Sequence, residues 1–149
     1  MDYTFKTQSV EETKKIAYQI GLLCQDGMVI TLSGDLGAGK TVFTKGLAIG
    51  LDIHKTVSSP TFTILKQYIG RLPLNHFDAY RLEGIQQDLG FGDLIGTKGV
   101  SVIEWPEYVL DLLPIERLDI KIFWIDENTR EFKVSAYGDI YDSLMKEIL

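Results

Sequence analysis

The N-terminal part of the chain carries the clearest hydrophobic patterns. Apolar residues recur near helical spacing after a capping box that begins at Ser9, and they predict a first helix over Val10–Cys24. The apolar run Met28–Leu32 is short and nearly continuous, which is typical of a strand buried on both faces. A glycine-rich turn and a second predicted helix, Thr41–Leu51, follow this strand.

The rest of the chain alternates between apolar segments and breaks that contain glycine or proline. Strands are predicted over Thr63–Tyr68 and Leu72–Phe77, either as a hairpin or as neighbouring strands, over Gly99–Glu104, and over an antiparallel hairpin, Leu118–Ile125 with Glu131–Ala136. Glycines reduce Leu82–Ile95 to short helical turns, whereas helices are predicted from Pro106 to Leu113 and over Ile140–Leu149.

This order of elements predicts an α/β fold with a mixed β-sheet, helices on both of its faces and an antiparallel C-terminal hairpin. The chain has 149 residues, of which 45% are hydrophobic and 11% aromatic, and this composition excludes a disordered chain. Because no repeat and no linker-like tract divides the sequence, residues 1–149 are predicted to form a single domain.

Charge and cysteine content restrict the setting in which the protein works. The 15 Lys+Arg and 21 Asp+Glu residues give a net charge of −6, so the chain lacks the basic footprint of a protein that binds nucleic acid alone. The single cysteine, Cys24, falls in a predicted helix, where a thiol is usually a small core hydrophobe. No signal-like segment opens the sequence and no apolar run approaches the length of a membrane span, so we expect a cytoplasmic protein without a membrane partner.

The segment between the first buried strand and the second helix matches a phosphate-binding loop. Residues 34–41 read Gly-Asp-Leu-Gly-Ala-Gly-Lys-Thr and fit G-x-x-x-x-G-K-[ST] in the strand-to-helix context that this motif requires. Glycines let the backbone curl so that successive amides converge on phosphate oxygens, and the positive end of the following helix adds to their field. A glycine turn with a surface lysine is the alternative, but it does not explain a Lys-Thr pair at the helix start. The predicted nucleotide ligands are Leu36, Gly37, Ala38, Gly39, Lys40 and Thr41.

Two side chains of this loop and two acidic residues elsewhere in the chain are predicted to take part in the chemistry. Lys40 supplies a point charge for the β- and γ-phosphates, and the Thr41 hydroxyl is a ligand for Mg²⁺. A nucleoside triphosphatase also needs carboxylates to hold Mg²⁺ and orient water, and Asp78 and Glu104 each follow a predicted strand, where such groups lie in parallel sheets. A single acid there is more often a solvated cap, but two beside a phosphate loop favour the catalytic interpretation. The hydroxyl-rich segment Ser58–Phe62 has the position of a switch loop, although such a stretch taken alone is more often a turn.

Several nucleotide-binding classes lack their motifs here. The glycines at 34, 37 and 39 do not form the dinucleotide fingerprint G-x-G-x-x-G, which argues against a Rossmann dehydrogenase. The Asn-Lys-x-Asp motif of small GTPases and the His-Arg-Asp and Asp-Phe-Gly motifs of protein kinases are missing as well. His54 and His76 have no partner at metal-ligand spacing and are interpreted as ordinary surface or packed histidines. Trp105 and Trp124 are interpreted as core aromatics, with Trp105 also a candidate wall of the site.

Three further motifs accompany the phosphate loop. They are Ser-Pro-Thr-Phe at 59–62, His-Phe-Asp-Ala-Tyr-Arg at 76–81 and Val-Ile-Glu-Trp-Pro at 102–106. In this order they closely resemble the TsaE family of bacterial ATPases, also called YjeE, over nearly the whole chain. The resemblance implies a P-loop NTPase fold, a weak intrinsic ATPase activity with ATP and Mg²⁺ as cofactors, and a role in making threonylcarbamoyladenosine beside the anticodon of tRNAs.

The resemblance also implies roles for residues and partners. It places Lys40 on the phosphates and Thr41 and Glu104 on Mg²⁺, and it makes Asp78 a second essential acid, so that Lys40, Asp78 and Glu104 are the predicted catalytic residues. The implied partners are TsaD, which transfers the threonylcarbamoyl group, and TsaB. In that family the ATPase acts on the complex of these two proteins to reset it after turnover, and tRNA is held by the complex.

Two other functions remain open from the residues. A small-molecule kinase on the same fold usually has an arginine-rich lid over the phosphates. The arginines here are few and scattered: Arg71, Arg81, Arg117 and Arg130. A nucleotide-gated binding module with negligible hydrolysis would use ATP only to order a docking surface.

Overall fold

The computed structural model describes residues 1–35, 37–58, 64–82 and 90–149. Its strands and helices, in chain order, are β1 (Asp2–Thr7), α1 (Val10–Leu23), β2 (Val29–Gly34), α2 (Lys40–Gly50), β3 (Leu65–Tyr68), β4 (Leu74–Asp78), α3 (Phe91–Leu94), β5 (Val100–Glu104), β6 (Arg117–Trp124), β7 (Arg130–Tyr137) and α4 (Asp139–Ile148). Turns of 3₁₀ helix lie at Ala79–Leu82, Pro106–Tyr108 and Leu110–Leu112. Within these four described ranges, no helix has both the length and the apolar character needed to cross a membrane.

Seven strands form a mixed sheet in the order β1-β7-β6-β2-β5-β4-β3. Strand β2 pairs in parallel with β5 and β6, and β4 pairs in parallel with β5. The pairs β1–β7, β6–β7 and β3–β4 are antiparallel. The mixed α/β architecture and the antiparallel C-terminal hairpin are therefore confirmed, and the two predicted strands before residue 78 pair as a hairpin.

The register brings three strand ends to one edge of the sheet. Leu32 lies opposite Glu104, and Glu104 lies opposite Asp78. Strand β2 continues to Gly34, and α2 begins at Lys40. Because the carboxyl ends of parallel strands meet at the same edge, the described residues of the predicted phosphate loop (residues 34–41) and both predicted acids lie together there.

Both faces of the sheet are covered, but the two layers are unequal. On one face, α1, α2 and α4 pack on the sheet in the larger buried cluster, which includes Phe43 and Phe132. On the other face, strand residues such as Val29 pack against side chains of α3 and of the 3₁₀ turns. Successive residues of β5 divide between the clusters, since Val102 belongs to the first and Ile103 to the second.

Both ends of α1 agree with the sequence prediction. Ser9 Oγ accepts a hydrogen bond from the main-chain N–H of Glu12 at 3.1 Å, and the Glu12 carboxylate accepts one from the N–H of Gln8 at 2.5 Å. At the other end Cys24 is buried, and burial raises the pKa of its thiol to about 12. The thiol therefore stays protonated at neutral pH and acts as a small core hydrophobe.

The structure differs from the sequence-based expectations at three places. The helix predicted from Pro106 to Leu113 is wrong, because Val109 adopts φ −137° and ψ 29° and divides the segment into two 3₁₀ turns. Strand β1 (Asp2–Thr7) was not predicted, since its partner β7 lies near the other end of the chain. Trp124 is not a core residue, because 55% of it is exposed at the end of β6.

The predictions that fall on residues 36, 59–63 and 83–89 lie outside the described residues. They include the ligand Leu36, most of the candidate switch loop and part of the predicted helical turns.

Helices α1 and α2 touch at glycines. A Cβ atom added to Gly21 would lie 2.3 Å from Leu47 O and 2.9 Å from Gly50 Cα, and one added to Gly50 would lie 2.3 Å from Tyr18 O. The two main chains are therefore too close for a side chain to fit between them. Because α2 starts in the phosphate loop, this contact also fixes the direction in which the helix leaves the loop.

The substitution Gly21→Ala is expected to destabilise the fold, although alanine favours helices by about 1 kcal/mol over glycine. Overpacking a tight contact costs about 1–3 kcal/mol, and a main-chain neighbour cannot move aside as a flexible side chain can. Urea denaturation should show a free energy of unfolding lower by about 1 kcal/mol or more. The neighbouring Leu22→Ala, at a residue 50% exposed, is the control and should change it by about 0.5 kcal/mol at most. Equal stability of Gly21→Ala and the unmodified chain would contradict the close contact.

Candidate nucleotide-binding site

The described part of the phosphate loop joins the centre of the sheet to α2. Gly39, the residue before Lys40, has φ 109°, in the left-handed region that favours glycine. Ala38 is buried, and its N–H donates to the carbonyl of Asp35 at 3.0 Å, so the loop closes on itself. The predicted ligands that the structure describes lie in this turn or at the start of α2: Gly37, Ala38, Gly39, Lys40 and Thr41.

Helix α2 begins without a side-chain cap. Gly39 occupies the N-cap position, and the first turn contains no acidic residue. The first N–H groups of a helix have no acceptor within the helix, and the positive end of its dipole favours an anion. The start of α2 therefore offers main-chain donors and a positive field to an external anion.

The Lys40 side chain lies against the end of β5. Its Nζ is 3.9 Å from Glu104 Oε1 and 4.7 Å from the centroid of the Trp105 ring. Only 11% of the Lys40 side chain and 7% of the Glu104 side chain are exposed, so solvent screens this ion pair less than a surface pair. The ammonium group is held between a carboxylate and an aromatic face.

A second buried side chain holds the other oxygen of Glu104. His76 Nε2 lies 2.7 Å from Glu104 Oε2, and both residues are buried. A proton on Nε2 that is donated to this oxygen fixes the orientation of the carboxylate. Within the described parts of the chain, the buried Nδ1 of His76 has no hydrogen-bond partner.

The contact of His76 with Glu104 goes beyond the sequence interpretation of His76 as an ordinary packed histidine. The available signal was the Asn75-His76 pair, two polar residues inside an apolar strand. Buried polar side chains need partners, so such a pair indicates a hydrogen-bonded neighbour on the next strand. The sequence alone did not show which neighbour it would be.

Asp78 lies beside Glu104 on β4 but makes a different contact. Its Oδ1 accepts a hydrogen bond from the N–H of Tyr80 at 3.1 Å and caps the 3₁₀ turn that follows the strand. The register also places Asp78 at the same sheet edge as Glu104. Thr41 is half-buried, as the second residue of α2.

Aromatic rings flank the buried ion pair. Trp105 follows Glu104 directly and has φ 59°, an uncommon conformation for a residue with a side chain. The ring centroids of Tyr80 and Tyr108 lie 5.0 and 6.4 Å from that of Trp105. Packing among these rings supports the turn that brings Trp105 over Lys40.

Arg130 reaches the phosphate loop from the C-terminal hairpin. Its Nε donates to Ala38 O at 3.2 Å, and its Nη2 lies 3.5 Å from Gly37 O. In the sequence, Arg130 is one of four scattered arginines. Its contact joins segments far apart in the chain, and no local motif marks it.

The oxygen donors at this edge suit a hard divalent cation that arrives with phosphates. The Thr41 hydroxyl and the carboxylate of Glu104 are ligand types that Mg²⁺ prefers. The described residues contain no group of three His, Cys, Asp or Glu side chains that could hold a metal ion. Mg²⁺ in nucleotide sites usually takes one or two protein ligands and completes its shell with phosphate and water, so the residues present fit this ion.

The chain is similar to known proteins over most of its length. The family model for threonylcarbamoyl adenosine biosynthesis protein TsaE matches residues 7–132. The chain is 46% identical over 145 residues to the tRNA threonylcarbamoyladenosine biosynthesis protein TsaE of Bacillus subtilis (strain 168), covering 97% of this chain and 92% of that protein. It is 40% identical over 131 residues to the protein of the same name from Treponema pallidum (strain Nichols), covering 87% and 97%. The crystal structure of YdiB from Bacillus subtilis has a TM-score of 0.84 and 39% identity, covering 99% of this chain and 94% of that one.

Proposed function

Because the chain belongs to the TsaE family of threonylcarbamoyl adenosine biosynthesis proteins, we propose that it is a Mg²⁺-dependent ATPase that serves threonylcarbamoyladenosine modification of tRNA. The family and the names of the relatives support the role in this modification. The observation that supports nucleotide hydrolysis is the buried Lys40–Glu104 pair at the mouth of a phosphate loop.

Triphosphate binding follows from the charges at the start of α2. The uncapped amides and the helix dipole attract an anion, and Lys40 adds a full positive charge. In the structure, the ammonium of Lys40 faces Glu104. We expect phosphate oxygens to replace Glu104 as the partner of Lys40, so that the carboxylate becomes available to a cation.

Hydrolysis needs an oriented carboxylate and an oriented water. His76 keeps Glu104 in place through Oε2, which leaves Oε1 on the side of Lys40 and the loop. When bound, Mg²⁺ would neutralise charge on the phosphate oxygens. Asp78 engages Tyr80 through Oδ1, and its second oxygen is proposed to accept a hydrogen bond from the attacking water.

The proposed partners are the proteins TsaB and TsaD. A net charge of −6 gives the chain little attraction for RNA, which supports contact with tRNA only through that complex. The family resemblance supplies the identity of the partners.

Single-turnover release of phosphate from ATP, with and without TsaB and TsaD, tests the proposal against its two competitors. We expect slow release by the protein alone and faster release with the complex. Transfer of the phosphoryl group to a small acceptor would favour a kinase. Nucleotide binding without release under either condition would favour a nucleotide-gated binding module.

The substitution Lys40→Ala is expected to weaken ATP binding by about 1.5–3 kcal/mol, the usual value of a hydrogen bond from a charged group. In calorimetric titrations this loss corresponds to a dissociation constant about 10- to 150-fold higher. The matched control is Lys146→Ala, which removes an exposed lysine from α4 and should leave the affinity unchanged. If Lys40→Ala binds as tightly as the unmodified protein, Lys40 does not contact the phosphates.

The substitution Glu104→Gln is expected to abolish most hydrolysis without unfolding the protein. Glutamine keeps the volume of the side chain and a carbonyl oxygen for His76, whereas alanine would leave His76 and Lys40 without their shared partner. Phosphate release should fall by about 10²–10³-fold, as when one group that stabilises the transition state is lost. Binding of ATP in the presence of EDTA should not weaken, because neutral glutamine competes less than the carboxylate for Lys40.

The control for this substitution is Glu107→Gln, which neutralises an exposed acid on the following 3₁₀ turn. Its rate should match that of the unmodified protein. If the Glu104→Gln variant releases phosphate at the rate of the unmodified protein, Glu104 takes no part in hydrolysis.

A further inference from the structure

Arg130 binds main-chain carbonyls of two separate segments. Besides its contacts with Ala38 O and Gly37 O, its Nη1 donates to Asp126 O at 2.6 Å and to Thr129 O at 3.0 Å. The guanidinium thus links the turn between β6 and β7 to the phosphate loop. Nε, Nη1 and Nη2 thus each donate to a main-chain carbonyl oxygen.

The contact with Ala38 controls the orientation of one peptide group. The chain contains no cis peptide bonds among the described residues, and in a trans peptide the C=O of residue 38 and the N–H of residue 39 point in opposite directions. When Arg130 holds the Ala38 carbonyl on the hairpin side, the Gly39 N–H is directed away from the hairpin. Gly39 has φ 109° and can rotate more freely than other residues, so this peptide group needs an external constraint.

We propose that Arg130 is a positioning residue for phosphate binding: it fixes the peptide between Ala38 and Gly39 so that the Gly39 N–H is ready to donate to a phosphate oxygen. The inference rests on the proposed nucleotide binding. Arg130 acts through the backbone of the loop and from its outer side. A loop that is ordered before the ligand arrives binds more tightly, because less conformational freedom is lost on binding.

The binding test compares Arg130→Ala and Arg130→Lys with the unmodified protein in calorimetric titrations with Mg·ATP. We expect Arg130→Ala to raise the dissociation constant about tenfold or more. Lysine keeps the positive charge but lacks the planar fork that reaches several carbonyls at once, so Arg130→Lys should bind nearly as weakly as Arg130→Ala. Unchanged affinity in both variants, with normal binding by the unmodified protein, would overturn the inference.

Titrations at two salt concentrations distinguish a positioning role of Arg130 from simple attraction between its guanidinium and the phosphates. Charges at a distance are screened when the ionic strength is raised from about 0.1 M to about 0.5 M. If Arg130 positions the loop, the ratio of the dissociation constants of the variant and the unmodified protein should be the same at both salt concentrations. Full rescue by lysine together with loss of the effect at high salt would show that Arg130 contributes only its charge.

The matched control is Arg117→Ala. Arg117 lies at the opposite end of the same hairpin, where its register partner is Tyr137. Its Nε donates to Asp119 Oδ1 and its Nη1 donates to Pro114 O. This variant loses an arginine of comparable burial but no contact with the loop. Its affinity for Mg·ATP should stay within about twofold of the unmodified value.

A second readout does not depend on ATP. In ¹H–¹⁵N spectra of the nucleotide-free protein, the Gly39 amide signal should move in both Arg130 variants and stay in place in Arg117→Ala. A Gly39 signal that is identical in all four proteins would overturn the positioning role. If the unmodified protein does not bind ATP but the Gly39 signal responds to Arg130, the proposed function fails while the structural link stands. The spectra also show whether each variant is folded. If Arg130→Ala is unfolded, the comparison is made with Arg130→Lys alone.

Discussion

The site depends on the parallel pairing of β2 with β5. The register sets Leu32 opposite Glu104, and the residues after Leu32 lead into the phosphate loop, so Lys40 returns to the carboxylate at the end of the neighbouring strand. Taking ionisable groups out of water is costly unless each has a partner, and here Lys40 has Glu104 while Glu104 also has His76. A slip of β5 by one residue would turn Glu104 to the opposite face of the sheet and break both contacts.

The phosphate loop, which joins β2 to α2, is constrained from outside as well. On one side, the close approach of Gly21 and Gly50 sets the path of α2, and with it the direction of the helix dipole. On the other side, Arg130 of the C-terminal hairpin binds the loop carbonyls of Ala38 and Gly37. The geometry of the phosphate loop therefore depends on segments from both ends of the chain, and this is why a short motif needs a whole domain around it to become a binding site.

The part of the site that can be predicted from the sequence consists of residues that short local motifs identify. The glycines and the Lys-Thr pair of residues 34–41, and the acids Asp78 and Glu104 at the ends of predicted strands, are recognisable from neighbouring residues alone. The bond between His76 and Glu104 and the contact of Arg130 with the loop join residues far apart in sequence, which periodicity does not report. Strand β1 was missed for the same reason. Helix prediction after Pro106 failed because the backbone of Val109 leaves the helical region, which the apolar spacing did not show.

We propose that a triphosphate replaces Glu104 as the partner of Lys40 at this edge of the sheet. The most direct measurement is a crystal structure of the protein with Mg²⁺ and a non-hydrolysable ATP analogue. We expect a terminal phosphate oxygen within about 2.7–3.2 Å of Lys40 Nζ and of main-chain nitrogens at the start of α2. A nucleotide bound elsewhere, with Lys40 still paired to Glu104, would contradict the account.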